Sequence, residues 1–159
     1  MLPTKGWITT GDLAPDFELP DQNGRPLRLA SLRGTWVVVY FYPSDGSFGC
    51  TAEACEFRDN FSEFQKAGAE VLGVSSDDVA SHERFARSLQ LPYRILADRD
   101  EKVRRAWGVP KALGLIRSRI TFVVDPLGVV RHRYSSQFKF REHASESLQV
   151  LQEIRGGAA

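Results

Sequence analysis

The longest unbroken apolar stretch of the chain, "WVVVYFY" at 36–42, shows no polar alternation, which is the pattern of a strand covered on both faces. Around it the period changes. "FELPDQNGRPLRL" sets two short strands about Asn23-Gly24, a strong hairpin signal. Phe57, Phe61, Phe64 and Ala67 recur at helical spacing and read as core positions, so one helix is expected from near Cys50 to "AGA", stopped by Gly68. "EVLGVSS", 70–76, reads as a second buried strand, followed by a helix opening at Asp77 or Asp78 with Phe85, Ala86 and Leu89 on one face. "YRIL" gives a short strand, and Asp98 with Glu101 three residues on has the capping-box pattern for a helix through Trp107. "RITFVVD", 119–125, and "VVRHRY", 129–134, flank "PLG" as a hairpin, and Ala144, Leu148, Leu151 and Ile154 stripe a last helix. The sum is an α/β fold, a mixed β-sheet flanked by helices with an N-terminal β-hairpin.

The size, 159 residues with 42% hydrophobic and 26% charged, fits one domain over 11–155, with 1–10 and 156–159 as flexible ends. Twenty-one basic against twenty acidic side chains leave a net charge of +1, so no global field draws the chain to nucleic acid or to an acidic membrane. No apolar run has the length of a signal peptide or of a membrane span, and a soluble, cytoplasmic protein is the expectation. His82, His132 and His143 stand apart in the sequence with no Cys or carboxylate at ligand spacing. They are expected on the solvated surface, with no metal bound.

The chemistry concentrates in "FYPSDGSFGCTAEACEF", which holds both cysteines of the chain, Cys50 and Cys55. Two cysteines are too few for a disulfide scaffold, which leaves a redox pair or two small buried apolar residues. Cys50 follows a buried strand and a turn, at or just inside a helix start, where free amide hydrogens and the positive end of the helix dipole favour a thiolate. Such a nucleophile can attack a peroxide oxygen or a disulfide sulfur. Its neighbours also have ordinary readings: Pro43 as a strand terminator, Ser47 as a turn residue, Glu53 as a first-turn helix acid. Arg119 and Arg117, two residues apart, would share one face of a strand.

Taken together, Pro43, Ser47 and Cys50 at their spacing, then Gly49, Cys50, Thr51, Glu53, Ala54 and Cys55 in "GCTAEAC", and Arg119 before "ITFVVDPLG", resemble the peroxiredoxins. The likeness is to the Q type, also called bacterioferritin comigratory protein, and runs from "GDLAPDFELPDQNG" to the last helix. It implies a thioredoxin-like fold and a thiol peroxidase acting on hydrogen peroxide and organic hydroperoxides. Cys50 would form a sulfenic acid and Cys55 would resolve it as an intramolecular disulfide, recycled by thioredoxin, glutaredoxin or a similar dithiol. Ser47 would offer its hydroxyl to the peroxide, Pro43 would shield the pocket, and Arg119, selected over Arg117 by the family spacing, would hold a positive charge beside the sulfur. Glu53 would orient Arg119. No cofactor is implied, and the chain would be a monomer or weak dimer.

The chain departs from the family in having Ser47 for the usual Thr, Phe48 for the usual Pro, and a shorter segment at "WGVPKALGLIRSR". Two other functions fit the same fold. A thiol-disulfide oxidoreductase would call for Cys-x-x-Cys, whereas four residues intervene here; a redox-sensing interaction module would make no such demand. Five residues apart on an ideal helix, two Cα atoms lie about 8.6 Å from each other. A disulfide tolerates no more than roughly 7 Å, so a Cys50–Cys55 bond requires the helix to unwind.

Overall fold

The unbroken apolar run forms the middle of a five-stranded sheet. The computed structural model describes residues 7–112 and 116–157. A hairpin comes first, β1 (Glu18–Pro20) against β2 (Pro26–Arg28), with Leu19 opposite Leu27. Its turn is held by Asp21, whose Oδ1 accepts from the backbone N–H of Asn23 at 2.8 Å and of Arg25 at 3.0 Å. A 3-10 turn, Leu29–Leu32, leads to β3 (Trp36–Phe41), in which every residue is buried.

Next come α1 (Phe48–Asp59), α2 (Phe61–Lys66), β4 (Ala69–Ser75), α3 (Val79–Leu89), β5 (Arg94–Ala97) and α4 (Lys102–Ala106). A short pair follows, β6 (Lys111–Ala112) with β7 (Ile116–Arg117), then β8 (Ile120–Val124), β9 (Val130–Ser135) and α5 (Glu142–Gly157). The sheet order is β5-β4-β3-β8-β9. β3, β4 and β5 run parallel, β8 pairs antiparallel with β3, and β9 pairs antiparallel with β8, so the sheet is mixed as expected.

Alternation along β3 divides the core in two. Val37, Val39 and Phe41 face Phe17, Leu29, Trp107 and Phe122, while Trp36, Val38 and Tyr40 face Phe57, Phe64, Phe85 and Leu151. α1, α3 and α5 therefore cover one face, and α4 with the N-terminal hairpin covers the other. Gln22 ties the hairpin to the edge strand, its side-chain amide donating to Tyr93 O and its oxygen accepting from Ile95 N–H.

Three local expectations change. The single helix up to Gly68 is two, because Asn60 adopts φ −101°, ψ 6° and its side-chain amide donates to Glu56 O at 2.8 Å, breaking the run. The capping box at α4 does not form, because the helix starts at Lys102 with Glu101 itself as its N-cap. Asp98 accepts from the backbone N–H of Val103 and Arg104, but its own N–H already donates to Ser75 O, so Glu101 turns to Arg104 at 2.9 Å instead. Some residues expected within the flexible ends are instead part of the fold. Ile8 is fully buried in the core, and α5 continues to Gly157; residues 1–6 and 158–159 lie outside the described residues. So do 113–115 in the middle of "WGVPKALGLIRSR".

Candidate active site

Ser47 starts the helix that carries both cysteines. Its backbone is extended, φ −70°, ψ 155°, and its Oγ accepts from the Cys50 N–H at 3.3 Å, so Ser47 is the N-cap of α1. Cys50 is the third residue of that helix and 1% exposed; Cys55 is half-buried, about 1.4 turns further along. Pro43 lies half-buried two residues beyond β3.

Arg119 reaches the cysteine from the residue before β8. It is buried, and its Nη1 donates to Cys50 Sγ at 3.4 Å and to Glu53 Oε1 at 2.7 Å. Its Nε donates to Gln137 O at 3.4 Å and its Cζ lies 5.8 Å from the centre of the Phe140 ring, so both sides of the guanidinium are held. Burial opposes the charge on Arg119, but Glu53 and the Cys50 sulfur outweigh it and raise its pKa. Arg117, the competing residue by alternation, has its backbone in β7 opposite Lys111; its side chain lies outside the described residues.

Glu53, one turn past Cys50 in α1, is fully buried. Burial pushes its carboxyl up to about 8, against the lowering pull of Arg119. Its second oxygen, Oε2, has no hydrogen-bond partner and lies 3.5 Å from His143 Nδ1. His143 is fully buried on α5, with Nε2 2.8 Å from Ser136 O and Nδ1 2.7 Å from Thr121 Oγ1. Burial pushes this imidazole down to about 4.

The surface expectation for the histidines is thus corrected. Besides His143, His82 is fully buried, with Nδ1 2.6 Å from Asp45 Oδ2 and Nε2 3.0 Å from Leu96 O. His132 is partly buried 3.4 Å from Glu146. Sequence spacing missed these because their partners come from other elements: Asp45 is 37 positions from His82, and Thr121 is 22 from His143. The only hint was the helical position of His82, three residues before the core residue Phe85 on the same face.

Asp45, Asp77 and His82 offer ligand atoms within 4.8 Å of one another. Those atoms are already engaged. Asp45 accepts from Tyr42, Ser81 and His82, and Asp77 accepts from Ser75 Oγ and the Asp45 N–H. The cluster fastens the turn before Ser47 to the start of α3 and the end of β4.

The chain as a whole is similar to proteins of one known family. The AhpC/TSA family profile matches residues 10–133. Chloroplastic peroxiredoxin Q of Oryza sativa subsp. japonica is 47% identical over 150 residues, covering 94% of this chain and 69% of the relative. That of Arabidopsis thaliana is 49% identical over 145 residues, 91% of this chain and 67% of the relative. Among solved structures, the peroxidoxin BcpB of Mycobacterium tuberculosis superposes with a TM-score of 0.86 at 40% identity, covering 92% of this chain and 98% of that one. The bacterioferritin comigratory protein of Xanthomonas campestris, studied for alkyl peroxide reduction, superposes with a TM-score of 0.84 at 33% identity, covering 92% and 99%.

The expectation of a cytoplasmic protein is corrected by these plant relatives, which are chloroplastic. It rested on the lack of a long apolar segment, and that lack does not specify a compartment. The thioredoxin-like fold, the helix-start cysteine and the match over most of the chain lead to one conclusion: the chain belongs to the AhpC/TSA family, as a thiol peroxidase of the peroxiredoxin Q group.

Proposed function

We propose that Cys50 is the residue that attacks the peroxide and Cys55 the one that resolves the product. The observation that carries this reading is the buried Arg119 guanidinium fixed 3.4 Å from the Cys50 sulfur in the first turn of α1. As the thiolate attacks, an S–O bond forms, the O–O bond breaks, and its electron pair leaves on the far oxygen, which takes a proton to become water or an alcohol. Cys50 becomes a sulfenic acid. The fixed positive charge favours the negative charge that shifts toward the oxygens, and it needs no rearrangement to do so. Ser47 contributes a hydroxyl at the mouth, Pro43 shapes the turn, and Glu53 holds Arg119 in place.

The substrates are hydrogen peroxide and organic hydroperoxides. The mouth suits the latter, since Phe48 is 76% exposed and its ring meets Phe140 edge-on at 5.8 Å, giving an apolar rim for an alkyl tail. Cys55 then displaces the sulfenic oxygen as water and forms a disulfide with Cys50. A thioredoxin-type dithiol reduces it, so the electrons come from thiols and no prosthetic group is required. All of these residues come from one chain, which fits a monomer or weak dimer.

A thiol-disulfide oxidoreductase is a poorer fit, because a cysteine that is 1% exposed admits a small peroxide but not a protein disulfide. Peroxide consumption coupled to a thioredoxin system tests the reading. Cys50→Ser should abolish turnover with the fold intact; turnover near the unsubstituted rate would refute it.

A further inference from the structure

Glu53 has one more carboxyl oxygen than the site has donors for. Oε1 takes Arg119 Nη1 at 2.7 Å; Oε2, fully buried, takes nothing and faces His143 Nδ1 at 3.5 Å. That nitrogen is an acceptor. His143 Nε2 donates to Ser136 O at 2.8 Å, so the neutral ring leaves a lone pair on Nδ1, which takes the Thr121 hydroxyl at 2.7 Å. An ionised Glu53 would face that electron-rich nitrogen with no donor between them in a buried site. A proton on Oε2 would make that contact favourable.

Charge counting gives the same answer independently. One cation, Arg119, stands between two groups able to carry negative charge, Cys50 Sγ and Glu53 Oε1. Within this buried site it can neutralise one of them, and a second buried anion would be uncompensated. The other titratable groups packed nearby do not help. Tyr40 and Tyr93 are held protonated by burial, His143 is held neutral, and Glu142 on α5 is turned to the Tyr134 hydroxyl.

We propose that Glu53 carries a proton while Cys50 is a thiolate and gives it up when Cys50 is oxidised, so that Arg119 always has one anionic partner. This rests on Cys50 being the peroxide-reactive residue. The balance is complete. Before reaction the site holds a thiolate, a guanidinium and a neutral carboxyl. Attack forms the S–O bond and breaks the O–O bond, leaving a neutral sulfenic acid and an alkoxide. Arg119 then pairs with an ionised Glu53, and the proton lost from Glu53 equals the proton gained by the alkoxide, with no net uptake from solution. Glu53 is in this sense a positioning residue whose charge follows the redox state of the cysteine. Burial, which raises Glu53 to about 8, works in the same direction.

The test uses infrared difference spectroscopy on the full chain carrying Cys55→Ser, so that the sulfenic acid persists. The reduced form should show the C=O stretch of a neutral carboxyl, and one equivalent of peroxide should replace it with carboxylate bands. Adding Glu53→Gln should remove that change. Should that variant not fold, ¹³C-labelled glutamate assigns the band by its isotope shift. In weakly buffered solution, with the thiolate quantified by ultraviolet absorbance, the Cys55→Ser chain should take up no proton per sulfenic acid formed, and the Glu53→Gln version one. A carboxyl band that is absent from the reduced form, or unchanged on oxidation, would overturn the inference while leaving Cys50 as the nucleophile. A chain in which mass mapping finds no oxygen on Cys50 would overturn both.

Discussion

The Tyr93 hydroxyl donates to the Ala54 carbonyl at 2.9 Å, beneath the part of α1 that separates Cys50 from Cys55. Tyr40 lies behind it, its hydroxyl 2.8 Å from that of Tyr93 and its ring stacked on Phe57 at 4.3 Å. With both thiols on one helix, their Cα atoms are about 8.6 Å apart by helix geometry, beyond the roughly 7 Å a disulfide allows. The bond to Ala54 must be lost when α1 unwinds. Tyr93→Phe should therefore speed disulfide formation by about two- to twelvefold, as loss of a hydrogen bond worth about 0.5–1.5 kcal/mol implies. It should also lower the fraction driven to sulfinic acid at high peroxide. Rapid-quench mass spectrometry reads both, and an unchanged resolving rate would show that Tyr93 does not restrain the helix.

Gly49 leaves room for Arg119. A Cβ there would sit 3.0 Å from Arg119 Nη2 and 3.1 Å from Phe140 Cδ1. Gly49→Ala should push the guanidinium off the sulfur and slow sulfenic acid formation by about tenfold, equivalent to roughly 1.4 kcal/mol of transition-state stabilisation. Because Ala is the better helix former by about 1 kcal/mol, thermal stability should hold or rise. Arg119→Lys, which keeps the charge but loses the planar fork, should be slowed too. Stopped-flow kinetics beside thermal melts would show the divergence; equal losses in both would point to misfolding rather than displaced chemistry.

Stability of the reduced form should depend on pH through two buried groups of opposite sign. Glu53 is raised from 4.5 to about 8, so its contribution is present at acid pH and lost as pH rises through that range. His143 is lowered from 6.5 to about 4, so its contribution is present above 6.5 and lost as pH falls toward 4. Between pH 6.5 and 8 the slope of stability against pH from denaturant titrations should be more negative with the Glu53 carboxyl than in Glu53→Gln. Identical slopes with and without the carboxyl would contradict the assignment.

The sheet was legible because its residues carry the signal themselves. Trp36 to Phe41 are apolar without interruption, and burial on both faces follows directly. Gly68, with φ +76°, stops a helix whatever surrounds it. The break at Asn60 depends on a side-chain bond to Glu56 that competes with the helix, which the Phe57, Phe61 and Phe64 spacing does not register. The buried histidines were hidden for a related reason. A polar residue is buried only where a partner satisfies it, and the partners of His82 and His143 are brought by other elements. Glu53 read as an ordinary first-turn acid because nothing in its neighbourhood announces that α5 closes over it.

Non-reducing peptide mapping after one equivalent of peroxide tests the assignment of Cys50 and Cys55 most directly. The unsubstituted chain should yield an intrachain Cys50–Cys55 disulfide, Cys55→Ser should carry a trappable sulfenic acid on Cys50, and Cys50→Ser should leave Cys55 reduced. An interchain Cys50–Cys50 bond as the main product, or first oxidation at Cys55, would contradict it.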